Sequence, residues 1–266
     1  MSQKVKEGAD AEKNFVKAMN RNKNDLRWKI LGFDDATNYY VVRVTTQKDS
    51  KIHNKKVPCK SDVFVAKSEK TIEKFNLNED DLEKYELTPV DGTGISIKKE
   101  DAKKIQWQKL GINAVREVFG NTEIGAGISL YERKGANHNS LHQSLEANRI
   151  IVEKWCGSVK SFEKFYENIS GITDLLDNKV DDERRKAIAK KVGVNADTRM
   201  KDMINKDDEL KKKIFWGKEV FEEPFCASWV FENSNLKITD NYYPKYSITT
   251  GNSRTKTFTI AIKDSK

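Results

Sequence analysis

Near the start of the chain, apolar residues fall at Ala11, Phe15, Val16 and Met19, the spacing of one helix face, so Asp10 to Met19 is expected to form an amphipathic helix. From Trp28 to Val44 the pattern changes. ILGF and YYVVRV are apolar and β-branched runs broken by Asp34, Asp35 and Asn38, which predicts strands and a hairpin. Val63, Phe64 and Val65 predict another strand. The charged stretch from Glu69 to Glu86 leans helical; Pro89, Gly92 and Gly94 interrupt it, and ISIK beyond them predicts a short strand. EDAKKIQWQKLGINAVREVF then keeps Ile105, Leu110, Val115 and Phe119 within a helical stretch.

The middle of the chain, from about Ser140 to Lys213, is dominated by helical patterns such as LHQSLEANRIIVEKW and ERRKAIAKKV. From Pro224 onward strand chemistry returns in ASWVFE, LKIT, YSITT and KTFTIAI, punctuated by Asn233, Pro244, Gly251 and Asn252. The expected fold class is mixed α and β, a central mixed sheet flanked by helices with a helical insert and a β-rich C-terminal segment. The expected organisation is a single domain over 1–266, with a core at 1–135, a helical subdomain at 136–220 and the β-rich segment at 221–266.

Charge adds a partner class to this picture. Lys and Arg number 49 against 41 Asp and Glu, a net charge of +8, which suits a polyanion such as DNA or RNA. At 37% hydrophobic residues the chain keeps enough apolar side chains for a core. Cys59, Cys156 and Cys226 are odd in number and lack CxxC spacing, which argues against a disulfide framework or structural zinc. No apolar run approaches the ~20 residues of a membrane span, and MSQKVKEGADAEK has no apolar signal region, so a cytoplasmic protein is expected.

Candidate chemistry lies in PCKSDVFVAK and GISIKK. Asp62 opens one expected strand, while Ser96 and Lys98, two residues apart, share one face of another. If that face meets Asp62, the three form a polar cluster at one end of a sheet. Cutting a phosphodiester needs a hard divalent ion on oxygen ligands, an activated water and positive charge near the phosphate. Asp62 is the candidate first ligand, the carbonyl of Ile97 or the hydroxyl of Ser96 completes the shell, and Lys98 orients or deprotonates the water. The plainer readings are that Asp62 caps a turn and that Lys98 and Lys99 end an edge strand.

At Ser61, Asp62, Ser96, Ile97 and Lys98 the chain resembles the PD-(D/E)xK nuclease superfamily, and within it the type II restriction endonucleases. In that pattern an Asp at the start of one strand is followed by an acidic-x-Lys on the next, after an N-terminal helix. Here Ser96 stands at the second acidic position. The resemblance covers roughly the first 120 residues and implies a restriction-endonuclease-like fold, Mg²⁺ as cofactor and site-specific cleavage of double-stranded DNA. It also implies a cognate DNA methyltransferase as genetic partner. Glu12, on the first helix, and Asp91, before the active strand, are candidates for the missing carboxylate.

DNA contacts are expected from two places. In YYPKYSITTGNSRTKTFTIAIK, Lys245, Ser253, Arg254 and Lys256 are residue types that meet phosphates or base edges, with Gly251 and Asn252 at a tight turn. Arg133, Lys134 and Asn137 form a second basic, polar patch. His138 and His142, four apart, read as part of a polar loop or as a His-and-Asn nuclease motif. Cutting both strands suggests a homodimer, or a monomer that cuts twice. Two other readings stand beside this one: a non-catalytic nucleic-acid-binding protein of a phage-defence system, and a helical protein-interaction module.

Overall fold

The computed structural model of the chain describes residues 3–98, 106–130, 145–240, 242–250 and 259–265, with side chains from Asp10 onward. The fold is mixed α and β. It divides into two compact units, Met1–Lys103 with Lys211–Tyr243, and Lys104–Leu210 with Pro244–Lys266. The sequence reading draws one unit of three consecutive stretches; the contacts instead interleave two, because the strand-rich C-terminal segment is shared between them.

In the first unit, α1 (Gln3–Arg21) and α2 (Leu26–Ile30) precede β1 (Tyr39–Arg43), the hairpin β2 (Lys48–Ser50) and β3 (Lys55–Val57), then β4 (Val63–Lys67), β5 (Thr88–Pro89) and β6 (Ile95–Ile97). After the second unit's residues come β8 (Trp229–Glu232) and β9 (Asn235–Ile238). The sheet runs β1-β4-β6-β8-β9 with β5 also on β4. Its β6–β8 pair is parallel and the others are antiparallel.

Strict alternation gives this sheet two apolar faces. Val41, Val63, Val65 and Ile95 pack with Phe15, Val16 and Met19 of α1, joined by Ile97, Trp229 and Phe231. Tyr40, Val42, Phe64 and Ala66 build a second core on the other face with Ile72, Leu77, Leu87 and Phe225. α1 therefore forms where its periodicity predicts and covers one face. Buried Asn20, at its end, serves the edge strand: its amide donates to Val41 O at 2.8 Å and accepts from Val41 N at 2.7 Å, so that part of β1 is closed to further pairing.

Two expectations in this unit are corrected. Trp28 begins no strand: Asp25 accepts the Arg27 N–H at 3.0 Å and starts α2, which Gly32 ends at φ 90. Trp28 is buried there, its indole donating to Met19 O at 3.1 Å. The stretch 69–86 forms no α-helix. Its regular turn is a 3-10 segment, Glu79–Asp81, because the acids bind backbone: Glu79 accepts the N–H groups of Thr45 and Thr46, and Asp81 that of Asn78.

The second unit opens with β7 (Gln106–Gly111), where a helix is expected. Trp107 and Leu110 are buried, and β11 (Thr259–Asp264) takes up the backbone of β7 in a sheet of order β10-β11-β7, with β10 at Tyr246–Thr250. Helix resumes at α3 (Ile112–Phe119), followed by α4 (Glu123–Leu130), buried from Ile124 to Leu130. Gly125 and Gly127 make that burial possible, since a Cβ would stand 2.3 Å from Trp155 and 2.2 Å from the Tyr166 hydroxyl. Around α4 lie α5 (Leu145–Cys156), α6 (Val159–Phe165) and α7 (Asp182–Lys206); α8 (Asp208–Lys211) follows. Cys59, Cys156 and Cys226 are free thiols. Among the described residues no helix is long and apolar enough to cross a membrane.

Candidate active site

β4 and β6 are paired at one position, Val63 opposite Ile95. On one side of it the Thr93 hydroxyl accepts the Val65 N–H at 3.0 Å, standing in for strand backbone. On the other side Asp62 N–H donates to Ile95 O at 2.9 Å. A continued antiparallel ladder would join the Ile97 N–H to the Ser61 carbonyl. Here it donates to Asp62 Oδ2 at 2.6 Å, with the Ser96 hydroxyl 3.4 Å from the same oxygen.

The chain is drawn away from β6 at Ser61. The N–H groups of Lys60 and Ser61 both donate to Phe225 O at 3.2 Å. The buried Ser61 hydroxyl lies 2.8 Å from Pro224 O and 2.7 Å from Cys226 O. Gly94 sits against these same groups, and a Cβ there would stand 2.1 Å from Cys226 O and 2.2 Å from Ser61 Oγ. The strands therefore part next to Asp62, and its carboxylate fills the opening with Oδ2 anchored and Oδ1 outside those bonds.

Lys98 follows β6, its N–H donating to Phe231 O at 2.8 Å. Ile95 and Ile97 belong to the face that α1 covers, so alternation sets Ser96 and Lys98 on the other. The parallel register, Ile97 beside Phe231, puts Glu232 next to Lys98 on that side. Burial lowers the Lys98 pKa, opposed by the carboxylates of Asp62 and Glu232. Burial raises that of Asp62, opposed by the Lys98 ammonium, the Ile97 N–H and the Ser96 hydroxyl. Lys60 joins them: burial, with the Lys98 charge beside it, pushes it down to about 7. Glu232 accepts from the Tyr242 hydroxyl at 2.7 Å and faces Lys237 at 3.8 Å.

Asp62, Ser96, Ile97 and Lys98 are thus brought together. Glu12 and Asp91 are placed elsewhere. Glu12 is half-buried on α1, one turn before Phe15, whose ring meets Phe231 at 4.8 Å on the opposite face of the sheet. Asp91 is exposed in the turn before β6, just after Val90, whose N–H donates to Val65 O at 2.9 Å, farther along β4. Lys245 is exposed before β10 in the second unit. Lys99, Arg133, Lys134, Asn137, His138, His142, Ser253, Arg254 and Lys256 lie outside the described residues.

No protein-family model matches the chain, and no curated protein matches it. The site therefore rests on its own geometry, which adds Lys60 and Glu232 to the residues read from sequence. Lys60 carries a usable signal, standing two residues before Asp62 and so in phase with it. Glu232 carries one only in alternation with Val230, far along the chain.

Among the described residues no three His, Cys, Asp or Glu side chains gather as a metal cage. Magnesium is commonly held by one or two carboxylates with water and substrate phosphate oxygens. The Asp62 carboxylate fits that smaller donor set, with the Ile97 carbonyl as an oxygen neighbour.

Proposed function

We propose that this chain is a Mg²⁺-dependent, site-specific endonuclease of restriction type that hydrolyses phosphodiester bonds of double-stranded DNA. One observation carries the reading: a carboxylate, Asp62, and an ammonium, Lys98, stand together where two strands part, backed by Ser96. In this reading Asp62 and the Ile97 carbonyl hold the ion, which when bound activates water and offsets charge on the attacked phosphate. The Ile97 N–H keeps the Asp62 carboxylate oriented. Lys98 adds positive charge beside the phosphate and orients the attacking water. The proposal includes a cytoplasmic location, a cognate methyltransferase that protects host DNA, and two copies acting on the two strands.

The test is incubation with unmethylated phage DNA, with Mg²⁺ or with EDTA, beside Asp62→Asn and Lys98→Met. Discrete fragments that need Mg²⁺ are expected from the natural protein and from neither variant. A loss of at least about 100-fold in rate is expected for Lys98→Met, as for removal of one group that stabilises transition-state charge. Full cleavage by Lys98→Met overturns the assignment.

A second reading has its own observation, the hydroxyl of Ser96 where the resemblance would place a carboxylate. It makes the chain a nucleic-acid-binding protein without catalysis. Salt-sensitive binding with no metal requirement and uncut DNA are its outcomes.

A further inference from the structure

The site contains a second lysine that the proposed chemistry has not used. Lys60 is fixed at its base by the Phe225 carbonyl, which accepts both its own N–H and that of Ser61 at 3.2 Å. Its stem passes against Gly217, where a Cβ would stand 2.6 Å from Lys60 Cγ. Gly217 has φ 73, a conformation L side chains rarely adopt, so a residue with a side chain is excluded there on two grounds. The charge of Lys98 acts on Lys60, and the carboxylates of Asp62 and Glu232 act on Lys98.

Two half-buried ammonium groups next to one another repel, and the repulsion grows as water is withdrawn from between them. An oxyanion received by both relieves it. A phosphate offers several oxygens to two point charges at once, and lysine binds phosphate in that way. The Ser96 hydroxyl, on the same face, is a further donor of the type that contacts phosphate oxygens.

We infer that Lys60 is a second phosphate-binding residue of this site and that Lys60 and Lys98 together grip one phosphate of a nucleic-acid backbone. The inference rests on the reading of the site as one that works on nucleic acid. It makes Lys60 a residue that touches substrate, and it assigns to a pair of lysines the charge that a single one supplies in the simpler scheme.

Inorganic phosphate is the probe, because it needs neither a recognition sequence nor catalysis. The full chain is melted in increasing sodium phosphate against sodium chloride of matched ionic strength, beside Lys60→Gln, Lys60→Met and Lys98→Met. The natural protein is expected to gain melting temperature with phosphate beyond the chloride control. In each lysine variant the apparent phosphate affinity is expected to fall at least about tenfold, the worth of one charge-assisted hydrogen bond. Two substitutions at Lys60 guard against one that fails to fold, which loss of a cooperative melt would reveal.

Equal phosphate stabilisation in the natural protein and in both Lys60 variants overturns the inference, as does a natural protein indifferent to phosphate. The same proteins are then given DNA with Mg²⁺. A phosphate effect lost with Lys60 while DNA stays intact upholds the lysine pair and sinks the nuclease reading. Cleavage by Lys60→Gln as fast as by the natural protein sinks the pair and leaves the nuclease reading standing.

Discussion

Lys23 shows what this lysine-rich chain does with a buried ammonium. It donates to the Tyr39 carbonyl and lies 3.8 Å from the Tyr40 ring centroid and 5.3 Å from that of Trp28. Burial still pushes its pKa from 10.5 to about 8. Between pH 8 and 10.5 the unfolded chain thus holds a proton that the folded chain has lost, so this group adds stability as pH rises through that window and withholds it below. Melting the natural protein beside Lys23→Met across pH 7 to 10.5 checks this: the natural protein is expected to gain on the variant above about pH 8. A constant difference would mean that Lys23 is not held against its charge. None of this was visible in the sequence, where Lys23 is one of many lysines in a polar stretch. The environment comes from Trp28, a residue whose expected strand turned out to be a helical turn.

At the scale of elements, the parting of β4 from β6 depends on how closely Gly94 sits against the segment 224–226. Gly94→Ala is expected to cost about 3 kcal/mol, the upper end for overpacking, because its Cβ would meet two backbone carbonyls and the Ser61 hydroxyl rather than pliable side-chain ends. Gly92→Ala meets open space at φ 74 and is expected to cost only about 1 kcal/mol from backbone strain. Urea unfolding midpoints of the two variants decide between packing and strain; equal losses would show that the contact at Gly94 is not tight.

The same comparison shows which elements could be read. α1, β4, β6 and the strands after Pro224 follow their own periodicity, since each buries the face its pattern marks. β7 was taken for helix because Leu110 and Val115 fit a helical spacing, while its true partner, β11, lies far along the chain. The 69–86 stretch was lost to side chains that bond backbone instead of building a helix. The site was legible to the same degree. Asp62, Ser96 and Lys98 follow from alternation within strands, whereas Glu232 depends on parallel pairing of β6 with β8, which no local pattern announces.

For the whole molecule, the +8 charge belongs to association rather than to fold. On the proposed reading, DNA affinity is expected to fall about 10³- to 10⁵-fold between roughly 50 and 200 mM salt if some 6 to 10 phosphates are met. Lys60→Gln is expected to flatten that slope by about one phosphate. Titrations with labelled DNA in Ca²⁺ at several salt concentrations measure both; an affinity indifferent to salt would remove the backbone as the binding partner.

The interleaving of the two units has a further consequence at the ribosome. β6 emerges early, but β8 is translated only after 98–228 have been made, on the order of ten seconds later at about 5–20 residues per second. Until then the nascent sheet ends on an open edge at β6, and Lys98 has no Glu232 beside it. The charged cluster is therefore assembled late in synthesis, and a cell making this protein carries half-made chains whose reactive residues have not yet been brought together.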